Sequence, residues 1–166
     1  MRAWNKATAE PWAITENALH TILEIAARDN ETPEAVAAKL GKELQNTHNV
    51  TEHDGVAVIP VTGPLFRYAN LFTMISGATS YEMLARDFTA ALENPDIAAI
   101  ILNIDSPGGE VNGCAELANM IFEARGQKPI VAYASGDAAS GAYWIASAAD
   151  EVVASETSGL GSIGVV

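Results

Sequence analysis

The chain has 166 residues, 49% hydrophobic and 18% charged, a balance that excludes wholesale disorder and suits one compact domain or one domain with a small appendage. Nine Lys and Arg stand against 21 Asp and Glu, a formal net charge of −12. Such an acidic chain is a poor candidate for binding a nucleic-acid backbone or an anionic membrane, because binding there depends on clustered cations.

Met1 to Trp12 is polar and lacks the apolar core of a signal peptide. Residues 10 to 46 read as two helices. Leu19, Ile22, Leu23 and Ala26 recur at helical spacing, and Thr32-Pro33-Glu34 is a good start for a second helix carrying Val36, Leu40 and Leu44. The stretch Gln45 to Gly55 is polar and reads as a linker, so residues 1–54 form a helical lead-in and residues 55–166 a separate core.

From residue 55 short apolar runs alternate with helical patterns. Val56 to Val61, Ile97 to Ile104, Ile130 to Ala134 and Glu151 to Ala154 read as strands. Between them, Ser80 caps a helix with Tyr81, Leu84, Phe88 and Leu92 on one face, ending at Asn94-Pro95. A second helix runs from about Asn112 to Arg125 with Leu117, Met120 and Ile121 inward and Gly126 as its cap. A third runs from about Ala139 to Ala148. This alternation argues for an α/β fold with a parallel sheet covered on both faces. The long connection Thr62 to Thr79, with Phe66, Tyr68, Leu71, Phe72, Met74 and Ile75, suits a substrate groove, an oligomer interface or a plain core excursion. No apolar run reaches the roughly 20 residues of a membrane span.

Two strand-to-helix loops fall on one sheet edge, where ligands of open α/β sheets gather. In Asp105-Ser106-Pro107-Gly108-Gly109, adjacent glycines let backbone N–H groups converge on a developing oxyanion, or simply make a tight turn. In Ser135 to Gly141, Ser140 sits between Ala139 and Gly141 at a helix start. It is a candidate nucleophile, with a helix N-cap as the plainer role. Cys114 reads as a small half-buried apolar residue, and a single cysteine excludes a disulfide framework or a cysteine-rich zinc site. His48 and His53 lack a metal-ligand spacing, so neither metal nor cofactor is expected.

Three motifs in order, Asp105-Ser106-Pro107-Gly108-Gly109, Ala139-Ser140-Gly141-Ala142-Tyr143 and Gly161-Ser162-Ile163-Gly164-Val165, resemble the protease IV (signal peptide peptidase A) family of serine peptidases. The opening Gly55 to Val61 with Gly63-Pro64-Leu65, and Gly77 to Tyr81, look closest to its phage capsid-maturation (prohead) branch. The resemblance covers about residues 55 to 166. It implies a ClpP/crotonase-like sheet and hydrolysis by a Ser/Lys dyad, with Ser140 as nucleophile, Gly109 and Gly141 as the oxyanion hole, and Ser106, Pro107 and Gly108 shaping the turn or groove. It also implies a peptide or protein substrate such as a scaffold or capsid tail, homo-oligomers, and residence in the host cytoplasm or procapsid.

A serine nucleophile needs a base. Residues 141 to 166 contain no Lys, Arg or His, and Lys6, Lys39, Lys42 and Lys128 all precede Ser140. Lys128 falls in a helix-to-strand loop, expected at the opposite sheet edge. The family's lysine is therefore expected beyond residue 166, leaving these residues inactive alone. Two rivals stand beside this reading: a crotonase-type acyl-CoA enzyme, and a non-catalytic assembly module on a peptidase scaffold.

Overall fold

The computed structural model describes residues 2–27, 50–68 and 78–163. The apolar runs form the strands of a main sheet: β2 (Thr51–His53), β3 (Val56–Thr62), β6 (Ala99–Ser106), β8 (Ile130–Ala139), β9 (Glu151–Ala154) and β10 (Leu160–Gly161). Their order is β10-β8-β6-β3-β2, with β9 also on β8. All pairings are parallel except β2 with β3. Residues expected in a polar linker thus supply an edge strand, because Thr51 to His53 turn back at Asp54-Gly55 and pair with Val56 to Val58.

Ile59, Ile100, Ile104 and Ile130 are fully buried on these strands. Each such side chain contributes about 1.5–3 kcal/mol by leaving water. The cover on both faces that the apolar runs predict is not seen: along β3, β6 and the first part of β8 buried residues alternate with half-buried or exposed ones, so one face is closely packed and the other only partly, and the four residues of β9 are all exposed. Helix α3 (Tyr81–Glu93) begins as its sequence predicts: the Ser80 hydroxyl accepts the Met83 N–H at 3.2 Å, and Tyr81, Leu84, Phe88 and Ala91 are buried. It ends at Asn94, before Pro95, where helical backbone is disfavoured. Helix α4 (Cys114–Glu123) buries Leu117 and Ile121 but leaves Met120 39% exposed, and its cap is Ala124 rather than Gly126. Helix α5 (Gly141–Ser147) follows β8 directly.

The lead-in has a different pattern from the one its helical periodicity predicts. Helix α1 (Arg2–Ala9) and helix α2 (Glu16–Ala26) flank a short strand, β1 (Trp12–Ile14). With β4 (Leu65–Phe66), β5 (Thr79–Ser80) and β7 (Gly108–Glu110), β1 makes a second sheet in the order β1-β7-β4-β5. A small second core of Ala7, Ile22, Ala26, Phe66 and Ala78 lies there, packed by Trp12, Ile14 and Leu23. The helix expected from Thr32, the stretch Leu71 to Ile75 and the last motif residues Gly164-Val165 lie outside the described residues.

Candidate active site

The two glycine-bearing loops meet at one edge, as the parallel topology predicts. Strands β6 and β8 are neighbours, and Ser106 at the end of one pairs with Ala138 near the end of the other. The register is not simple: β8 advances from Ala134 to Ala138 while β6 advances only from Ile104 to Ser106. Residues expected to form an open loop, Ser135 to Ala139, are therefore an irregular continuation of the strand. Such bulges re-aim the residues beyond them. Here Ala138 and Ala139 are turned back into the sheet, where they pair with Leu160 and Gly161 of β10.

Ser106 holds the first loop. Its buried hydroxyl donates to Gly63 O at 2.7 Å and accepts the Gly108 N–H at 3.2 Å. Gly108 has φ +99°, and a Cβ there would stand 2.2 Å from Ala13 O. A Cβ on Gly109 would stand 1.9 Å from Leu65 O. Neither position admits a side chain, so the polypeptide backbone itself forms this part of the site.

Ser140 sits between β8 and α5 with φ 54° and ψ −118°. That left-handed backbone costs a non-glycine residue on the order of 1–3 kcal/mol. Its N–H donates to Gly161 O at 2.8 Å, and its carbonyl accepts the Trp144 N–H at 3.0 Å. Position therefore makes Ser140 the N-cap of α5, but its side chain makes no capping bond. A serine serving only as a cap would use the hydroxyl and an extended backbone, as Ser80 does. A strained strand-to-helix turn instead presents the hydroxyl outward.

Gly141 is next to Gly109: its Cβ would lie 3.5 Å from Gly109 N. The three residues expected to act together, Ser140, Gly109 and Gly141, are thus brought to one place. Pro107 is half-buried beside them, its carbonyl accepting the Thr15 N–H at 3.1 Å. Cys114 lies beneath, fully buried rather than half-buried, with Sγ 3.4 Å from Gly141 O. Burial pushes its thiol up to about 11. It is a packing residue in the floor of the site, not a second nucleophile.

Lys128 is at the other edge, where Nζ donates to Ala91 O at 2.9 Å and Asn94 O at 2.6 Å. It caps the C-terminus of α3. His20 and His53 are exposed on α2 and β2, while Lys39, Lys42 and His48 lie outside the described residues. Among the described residues no cluster of His, Cys, Asp or Glu could hold a metal ion, and no helix is long and apolar enough to cross a membrane.

Sequence reasoning missed β1. Trp12, Ile14 and Thr15 favour strands and stand between Pro11 and the start of α2, which is the local signal for it.

Comparison with known proteins supplies an independent line. Residues 123–166 match the model of Peptidase family S49. The chain is 36% identical over 136 residues to the head-tail preconnector protein GP5 of Enterobacteria phage P21, covering 82% of this chain and 26% of that protein. It is 34% identical over 113 residues to capsid assembly protease C of Escherichia phage lambda, covering 68% of this chain and 26% of that protein. The chain thus spans about a quarter of the length of these curated relatives. Among solved structures, an enoyl-CoA hydratase from Mycobacterium avium subsp. paratuberculosis K-10 superposes with TM-score 0.52 at 20% identity, over 70% of this chain and 50% of the other. At that identity the likeness speaks of fold, and the fold is the ClpP/crotonase-like α/β arrangement.

Proposed function

The chain belongs by its sequence to peptidase family S49, and on that premise we propose that it carries the nucleophile and oxyanion hole of a serine endopeptidase of the phage capsid-maturation type. The observation that supports this most directly is the backbone of Ser140. Its φ of 54° and the absence of a capping bond leave the hydroxyl available beside two glycine amides.

In this reading the Ser140 hydroxyl attacks the scissile carbonyl carbon and forms an acyl-enzyme. The negative charge that develops on the carbonyl oxygen is met by the N–H groups of Gly109 and Gly141. One such donor is worth about a hundredfold to a thousandfold in rate. Ser106, Pro107 and Gly108 hold the Gly109 amide in position. The proton from Ser140 passes to a lysine outside these 166 residues, as the family resemblance implies; Lys128 is engaged at the far edge of the sheet. The isolated chain is then inactive.

The substrates proposed are extended segments of scaffold or capsid proteins, met in the host cytoplasm or the procapsid by a homo-oligomeric enzyme. Light scattering tests the oligomer.

A fluorophosphonate applied to the full-length protein should give a covalent adduct on Ser140, found by peptide mass mapping and lost in Ser140→Ala. Labelling elsewhere, or none at all, would refute the assignment. Hydrolysis of a peptide by residues 1–166 alone, abolished by Ser140→Ala, would refute the external base.

A further inference from the structure

The strand that carries Gly109 already has a neighbour. Residues of β1 run antiparallel along β7, with Trp12 opposite Glu110, Ala13 opposite Gly109 and Ile14 opposite Gly108. Two backbone bonds bracket this ladder: Thr15 N–H to Pro107 O and Val111 N–H to Pro11 O, both 3.1 Å. Hydrogen-bonded pairs alternate along an antiparallel ladder, so the pair between these two is Ala13 with Gly109. Gly109 N–H is thus given to the carbonyl of Ala13. That same oxygen lies 3.3 Å from where a Cβ of Gly141 would stand and 2.2 Å from where one of Gly108 would stand. The glycines assigned above to the oxyanion hole and its turn converge on a single carbonyl group, and it belongs to this chain.

An extended peptide adding to the edge of β7 would make the same main-chain bonds. The residue whose carbonyl rests on the oxyanion donor is the one whose following peptide bond faces attack. We propose that Pro11 to Thr15 is a built-in occupant of the substrate strand, set in the register of a peptide whose scissile residue is Ala13, and that an external peptide binds only after it has left. This rests on the peptidase reading of the same site.

The attachment is modest and local. The Trp12 ring meets Phe66 edge-on at 5.7 Å, and Trp12 Nε1 donates to Ala7 O at 2.8 Å. Ile14 packs on the small second core, which is separate from the main one. A strand tethered on both sides competes at a high effective concentration, roughly millimolar for short links, so it excludes weak peptides without needing strong contacts.

The test compares the full-length protein with its Trp12→Ala/Ile14→Asp variant, which loosens the strand without touching Ser140, Gly109 or Gly141. Amide hydrogen exchange is read at Gly109 and Val111, and affinity is measured for a peptide boronate ending in alanine. Protection at both amides in the parent, exchange at least tenfold faster in the variant and boronate binding at least tenfold tighter are expected. Thr15→Pro, which deletes one ladder bond and leaves the apolar anchors, should move both readouts the same way if the double variant does not fold. Unprotected amides in the parent, or equal boronate affinity, would overturn the proposal. A parent chain newly beginning at Ile14 would also overturn it, because the strand would then be consumed rather than displaced. If exchange responds but fluorophosphonate labels Ser140 in neither protein, the peptidase reading itself fails and β1 is only a structural strand.

Discussion

The carboxylate of Asp105 accepts the backbone N–H of Asp137 at 3.1 Å, across the bulge that separates β6 from the end of β8. Gly136 makes room for it: a Cβ there would stand 2.2 Å from Asp105 Oδ1. The pair sets the course of Ala138 and Ala139 and so the position of Ser140. Gly136→Ala should force the exposed Asp105 side chain away and lose the bond, a cost of about 1 kcal/mol. Asp105→Ala should cost about the same. If the two act through one bond, the double variant costs little more than either single one. Chemical denaturation of all four proteins checks this, and full additivity would show that the bulge is held by something else.

Strain at Ser140 predicts opposite effects for two small substitutions. Ser140→Gly releases the unfavourable φ and should raise stability by about 1 kcal/mol, or about 2–4 °C in Tm for a domain of this size. Ser140→Ala keeps a Cβ on the same backbone and should leave Tm unchanged. Both should lose fluorophosphonate labelling of the full-length protein. Equal melting temperatures for the two variants would show that the turn relaxes without strain.

Lys128→Met separates a structural lysine from a catalytic one. The loss of two bonds to the last carbonyls of α3 should cost about 1 kcal/mol. Labelling of Ser140 in the full-length protein should proceed at the parent rate. A fall of a hundredfold would make Lys128 the base and require a different sheet edge for the chemistry.

Cys114 predicts a loss of stability in alkali. Burial holds its thiol neutral in the fold, raised from 9.0 to about 11. The unfolded thiol ionises first, so the folded state binds more protons between those values and stability falls as pH rises from about 9 towards 11. Burial also pushes the Tyr81 hydroxyl upward, which adds to the fall in the same direction. Denaturant midpoints at pH 8 and pH 10.5 measure it, and Cys114→Ala should flatten the dependence. In the folded protein at pH 8, a disulfide reagent should leave the thiol unmodified.

Much of the main sheet was legible in the chain itself. Buried strands of a parallel sheet are nearly continuous apolar runs, so Val56 to Val61 and Ile97 to Ile104 announced β3 and β6 within a few residues. The cap at Ser80 and the stop before Pro95 are equally local. Glycine pairs and a serine among small residues marked two loops that the fold does bring together, because those residue types permit close backbone approach wherever they occur. What local sequence could not decide was which backbones approach one another. The pairing of Ala13 with Gly109 joins residues almost a hundred positions apart, on a strand whose Trp12 packs against Phe66. The turn at Ser140 is likewise held from outside, by Gly161 across β10 and by the bulge at Asp137. Local propensity would have made it an ordinary cap. Tertiary contacts hold it in a conformation that the residue by itself avoids, and that difference leaves its hydroxyl free of the cap.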